Sequence, residues 1–280
     1  MQDSRRRNGL RTATWSVSLG LVLGLIPVIA GQTAMAGDFQ AGMAAYQRGD
    51  FAGAIGEWQP LAESGDAEAQ FNLGNLYFSG KGFAIDRKTA ISWWERAAEA
   101  GLAKAQHNLA SIYISANGET QDYAKAVAWL TRAAEGGLHR SQYTLGKMYE
   151  YGLGVGRDFE RMAELYRLAA EAGFHRAQYN LGKAYRDGHG VDQDIEQAAA
   201  WFLRSARQGY AKAQSHIARR LAKGEGIAPD PIEAYKWYSL AIAQGETGLA
   251  DSLAALRASL SPEDIAEAER RVAAFQSVAE

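Results

Sequence analysis

AQFNLGNLYFSGKG, residues 69–82, decides the fold because the chain repeats it as AQHNLASIYISANG at 105–118, SQYTLGKMYEYGLG at 141–154, AQYNLGKAYRDGHG at 177–190 and AQSHIARRLAKGEG at 213–226. The period is 36 residues, and Gln70, Gln106, Gln142, Gln178 and Gln214 hold it without an insertion. A fixed internal period of this size is the mark of an array of supersecondary units stacked in a line.

Inside each copy, Leu73, Leu109, Leu145, Leu181 and Ile217 precede by four residues Tyr77, Tyr113, Tyr149, Tyr185 and, in the last copy, Leu221. That spacing puts them on one face of a first helix. Glycine pairs such as Gly80/Gly82 and Gly188/Gly190 then end it. An aspartate follows in every copy (Asp86, Asp122, Asp158, Asp194, Asp230) as the N-cap of a second helix, and Asp230-Pro231-Ile232-Glu233 is the fullest of these start signals. Trp93, Trp129, Leu165, Trp201 and Trp237, each followed four residues later by Ala97, Ala133, Ala169, Ser205 or Ala241, form the apolar face of that second helix. Trp93 is expected to face the layer of Gly74 and Ala97. Gly101, Gly137, Gly173, Gly209 and Gly245 turn the chain into the next copy. One such helix pair cannot bury its own apolar side, so neighbours must stack. The expected fold is all-α, a right-handed superhelical solenoid of helix pairs with a concave and a convex face.

Outward from the array, residues 38–66 read as a degenerate pair, with Asp50, Ala54 and Gly65 one period ahead of Asp86, Ala90 and Gly101. Residues 248–275 carry two more helical patterns separated by Ser261-Pro262-Glu263-Asp264. At the start, Arg5, Arg6, Arg7 and Arg11 precede an apolar run from Val17 to Ala30, and Ala34-Met35-Ala36 offers a cleavage site. The run is shorter than the roughly 20 residues needed to span a bilayer, so a cleaved secretory signal is expected, and an uncleaved inner-membrane anchor is the alternative. The expected organisation is a signal peptide over 1–36, an N-terminal capping pair over 37–66, five repeats over 67–246 (67–102, 103–138, 139–174, 175–210 and 211–246) and C-terminal capping helices over 247–280.

The chain of 280 residues has no cysteine, which excludes disulfides, thiol nucleophiles and thiolate metal sites. Removing residues 1–36 takes away four arginines and one aspartate and leaves a net charge of −5. That balance argues against nucleic acid or an anionic membrane as partner. SxxK, GxSxG and HExxH are absent from the mature part. His139 and His175 share a repeat position and are too few to define a metal site. No cofactor, metal or catalytic residue is expected.

The succession AxAQxxLGxxY, GxG, Asp, AxxW, AA and Gly resembles the Sel-one-like repeat family, a branch of the tetratricopeptide-like solenoids. The departures are Ala110 and Ala116-Asn117-Gly118 in copy two, and Ala218 and Leu221 in copy five. The resemblance implies a non-catalytic scaffold or regulator in the bacterial cell envelope, periplasmic or secreted. Relatives imply two alternatives: a cell-wall or β-lactam hydrolase, and a regulator of a membrane sensor kinase that controls exopolysaccharide. The resemblance also implies that first helices line the groove. Two ladders of positions flank the first-helix core stripe: Glu68, Lys104, Arg140, Arg176 and Lys212, then Asn75, Ser111, Lys147, Lys183 and Arg219. Between them lie Phe71, His107, Tyr143 and Tyr179, beside Asn72, Asn108, Thr144 and Asn180. The candidate partner site is therefore Lys104, Asn108, Arg140, Tyr143, Lys147, Arg176, Tyr179, Asn180, Lys183, Lys212 and Arg219. Cations, rings and amides in alternation suit another protein or peptide that is acidic or ends in a free carboxylate. The plain alternative is a solvated helix face.

Overall fold

A computed structural model describes residues 37–82, 84–115 and 121–276. The expected signal peptide and the Ala116-Asn117-Gly118 departure lie outside the described residues. These are all-α: α1 (Phe39–Gln47), α2 (Phe51–Glu63), α3 (Ala67–Ser79), α4 (Arg87–Glu99), α5 (Ala103–Ser115), α6 (Tyr123–Glu135), α7 (His139–Tyr151), α8 (Phe159–Glu171), α9 (His175–Asp187), α10 (Ile195–Arg207), α11 (Ala211–Lys223), α12 (Pro231–Ala243), α13 (Ala250–Ser259) and α14 (Pro262–Ala273). From α1 to α12 each helix packs on the next in sequence, and α12 packs on both α13 and α14. None of the described helices is long and apolar enough to cross a membrane.

The capping chemistry repeats with the sequence. The side chain of each aspartate before α4, α6, α8, α10 and α12 accepts a hydrogen bond from the backbone N–H three residues on. The same aspartates close the loop behind them: the N–H of Asp86 donates to the Tyr77 carbonyl, and Asp122, Asp158, Asp194 and Asp230 repeat this on Tyr113, Tyr149, Tyr185 and Leu221. The glycine loop then meets the preceding pair. Gly190, at φ 73°, leaves no room for a Cβ against the Phe159 carbonyl at the start of α8. First helices α7, α9 and α11 begin on Leu138, Phe174 and Tyr210 without a capping side chain. There the backbone starts the helix: Phe174 O accepts from the N–H groups of Ala177 (2.9 Å) and Gln178 (3.0 Å), while the N–H of Phe174 donates to Ala169 O beyond Gly173 and closes the end of α8.

The expected first-helix stripe is core: Leu73, Leu109, Leu145, Leu181 and Ile217 are fully buried, as are Ala97, Ala133, Ala169, Ser205 and Ala241. One expectation is corrected. The side chain opposite Gly74 is Trp94, not Trp93, and the same position holds Tyr166 against Gly146 and Phe202 against Gly182. A Cβ on Gly146 would stand 2.8 Å from Tyr166 Cε1. Trp93 lies one residue, about 100°, around the helix and packs half-buried on the preceding pair. Arg96 stacks on it at 4.5 Å and donates to Ala62 O at 3.1 Å. The second helix thus uses two adjacent positions, one within its pair and one across the joint.

The recurrent glutamine also works across the joint. Its side-chain amide donates to a last-turn carbonyl of the preceding second helix: Gln70 to Ala62 (2.9 Å), Gln106 to Ala98 (3.0 Å), Gln142 to Ala134 (3.3 Å), Gln178 to Ala170 (3.1 Å) and Gln214 to Ala206 (3.3 Å). In the last two copies a second glutamine completes the amide, Gln208 donating to Gln178 Oε1 at 3.0 Å and Gln244 to Gln214 Oε1 at 2.8 Å. Ala100, Gly136 and Ala172 occupy that place earlier in the array, and Oε1 of Gln70, Gln106 and Gln142 is buried without a partner. Ala172→Gln is therefore expected to stabilise the protein by about 1 kcal/mol, the net worth of one good hydrogen bond. Thermal unfolding of the variant checks this; an unchanged or lower Tm would contradict it.

Candidate functional site

First helices contribute to four cavities, three of which adjoin through shared residues. One of about 400 Å³ is lined by Phe71, Lys104, His107, Asn108, Leu138, His139, Arg140 and Phe174. The next, of about 310 Å³, shares His107, Arg140 and Phe174 and adds Tyr143, Thr144, His175 and Arg176. A third, of about 440 Å³, meets the first at Asn108 and includes Tyr46, Asn75, Phe78, Trp94 and Ser111. A smaller one, of about 140 Å³, holds Glu150, Tyr166, Asn180, Lys183, Asp187 and His189.

The sequence-predicted residues divide accordingly. Lys104, Asn108, Arg140, Tyr143 and Arg176 converge on the first two cavities, where neither lining contains a carboxylate. Lys104 stands 3.6 Å from Glu68, both exposed, an ion pair worth little in solvent. Asn180 and Lys183 belong to the small cavity, and Asn180 donates to the Tyr143 hydroxyl at 3.3 Å. Lys147 lies over the Tyr151 ring at 5.1 Å. Tyr179 is half-buried against Phe202, Tyr210 and His216 and acts chiefly as packing. Lys212 and Arg219 are exposed on α11 and line none of these four cavities.

Leu138 and Phe174 were not singled out in the sequence, although both occupy the apolar position just before a first helix. Phe174 packs edge-on to Tyr143 at 5.2 Å and floors both cationic cavities. His139 lines the first cavity and His175 the second, and no group of three or more potential ligands gathers among the described residues.

Burial, and then Arg140, lower the pKa of His107 to about 4, so its ring is neutral at pH 7. Its Nδ1 is 2.9 Å from the buried Ser141 Oγ. His216, stacked on Phe202 at 4.8 Å, is lowered to about 4 by burial and by Arg186, Arg220, Arg219 and Lys183. An unfolded histidine takes up a proton near pH 6.5, whereas these two resist protonation until about pH 4. The unfolded chain therefore binds more protons in that window, and stability falls as pH drops from about 6.5 to 4. The expected loss is about 2 kcal/mol for the pair after solvent screening. His107→Gln with His216→Gln flattens the Tm profile over that range; an undiminished slope in the double variant would count against this assignment.

The Sel1 repeat family model matches residues 67–102, 103–138, 139–174, 175–210 and 211–246. No curated protein matches the sequence. Among solved structures, a Sel1 repeat protein from Oxalobacter formigenes is 28% identical with a TM-score of 0.73, covering 85% of this chain and 99% of that one. A protective antigen of uropathogenic Escherichia coli with an SLR fold is 29% identical with a TM-score of 0.72, over 83% of this chain. The chain spans about half (51%) of that antigen's length.

Proposed function

This chain belongs to the Sel1 repeat family, and from that premise we propose that it is a non-catalytic docking protein of the bacterial cell envelope, exported to the periplasm or beyond. Its first-helix face receives an acidic extended segment, or the free C-terminus, of a partner protein. One observation carries this reading: two adjoining cavities present Lys104, Arg140 and Arg176 beside Phe71, Tyr143 and Phe174 with no carboxylate in their linings. Guanidinium groups can grip a carboxylate through paired hydrogen bonds, and stiff rings supply contact area at little entropic cost. The neutral His107 adds a polar edge to this floor without an acid that would repel the ligand.

The test is fluorescence anisotropy with labelled acidic nonapeptides, each made with a free and with an amidated C-terminus. Binding of either acidic form supports the reading, and the ratio between them tells whether side-chain or terminal carboxylates are held. Equal, weak binding of acidic, neutral and basic peptides would remove it.

A further inference from the structure

The small cavity and the Asn75–Ser111 cavity are the same niche two repeats apart. Phe78, Trp94, Asn108, Ser111 and Ile112 in one correspond to Glu150, Tyr166, Asn180, Lys183 and Ala184 in the other. One further period places Arg186, Phe202, His216, Arg219 and Arg220 at these positions, with Lys223 and Glu225 in the places of Asp187 and His189. The niche is hydroxyl-rich and apolar in its first occurrence, contains two carboxylates in its third, and is dominated by cations in its fourth.

Arg220 is the unusual member. Its position holds Leu76, Ile112, Met148 and Ala184 in the other copies, yet the arginine is only 6% exposed. Its guanidinium lies 5.0 Å from the centre of the Phe202 ring, which also stacks on His216, and its Nε is buried without a hydrogen-bond partner. Burying a cation costs several kcal/mol unless an anion and hydrogen bonds compensate it. Asp187 and Glu225 act on Arg220 as opposite charges, but each is shared with another cation: Asp187 holds Arg186 through two bonds of 2.6 Å, and Glu225 lies 3.6 Å from Lys223. Arg186 acts on Arg220 as a like charge, so the niche concentrates positive charge beyond what its own carboxylates offset. Arg219 adds an exposed guanidinium from the same helix.

We propose that this fourth niche, between α9 and α11, is a binding site for a tetrahedral oxyanion, a phosphate or sulfate group, with Arg220 at its base and Arg186 and Arg219 at its rim. Guanidinium groups arriving from two helices suit an anion with three or four acceptor oxygens better than a carboxylate with two. The site is distinct from the two cavities assigned to the partner peptide and does not depend on that reading.

Thermal unfolding of the full chain at constant ionic strength tests it, with chloride, inorganic phosphate, methyl phosphate or acetate as the anion. For the unmodified protein, phosphate at saturating concentration is expected to raise Tm by about 3 °C over chloride. Arg220→Met, which restores the kind of residue found in the other copies, should lose most of that rise, and the subtraction removes any general effect of the salt. Arg219→Gln, an exposed change that leaves the core untouched, should reduce the rise and provides the reading if Arg220→Met does not fold. Methyl phosphate matching phosphate identifies the ligand as the phosphate ester of a larger molecule, whereas a response to phosphate alone identifies the free ion. The same rise in all three proteins, or a rise with acetate equal to that with phosphate, overturns the proposal.

Discussion

Glutamate at both Arg140 and Arg176 is expected to weaken binding of an acidic peptide at least about 100-fold, while Tm moves by no more than about 1 °C. Arg140 lies in both cationic cavities and Arg176 in the second. Each reversal removes an attractive charge and substitutes a repulsive one at a site walled by Phe71, Tyr143 and Phe174. Both arginines are exposed, so the packing beneath them is undisturbed. Lys147→Glu with Lys183→Glu is the comparison. Lys147 lies on Tyr151, and Lys183 lines a separate cavity with Glu150 and Asp187. That pair should therefore cost less than about tenfold. If the two double variants lose equal affinity, the ligand is held by general charge and the two cavities have no special role.

Gly74→Ala is expected to destabilise the protein by about 2–3 kcal/mol, and Trp94→Leu in the same chain to recover at least about half of that. A methyl group on Gly74 would overlap the five-membered ring of Trp94, which is 3% exposed and packed against Phe78 at 5.0 Å. Trp94 also donates from its indole to Phe71 O at 3.3 Å, so it cannot withdraw without cost. The second repeat already carries the compensated pair, Ala110 with the fully buried Leu130. Chemical denaturation of the two single variants and the double variant gives the coupling energy. Strict additivity would show that the small residue on α3 and the large one on α4 are chosen independently.

Much of this was legible from the period alone. Leu73 and its equivalents, the aspartate caps and the turn glycines each depend on neighbours within a few residues, and local chemistry is enough to place them. The choice between Trp93 and Trp94 was not, because both sides of the second helix are buried and the apolar pattern marks both. Only the third dimension tells which side faces its own pair and which faces the joint. The glutamine was conspicuous by recurrence, but its role is a bond to a carbonyl eight residues back across a chain reversal, which spacing does not reveal. In the candidate site, the ladder of Lys104, Arg140 and Arg176 came together because these residues sit at the same turn of successive first helices. The ladder of Lys147, Lys183 and Arg219 dispersed, since Lys147 found a ring and Lys183 found acids within reach. Arg220 was invisible as a site residue because its position reads as core everywhere else in the array.

The glutamine-to-carbonyl bond has a consequence for how such a chain can change its length. Donor and acceptor sit eight residues apart, astride the point where one unit hands over to the next, and each unit brings both halves of the fastening. Excising or duplicating whole periods of 36 residues therefore rejoins a donor to a matching acceptor, whereas a cut that removes one half of the fastening and keeps the other leaves an orphan. Genetic recombination between the copies can thus lengthen or shorten the array, provided that it does so in whole units.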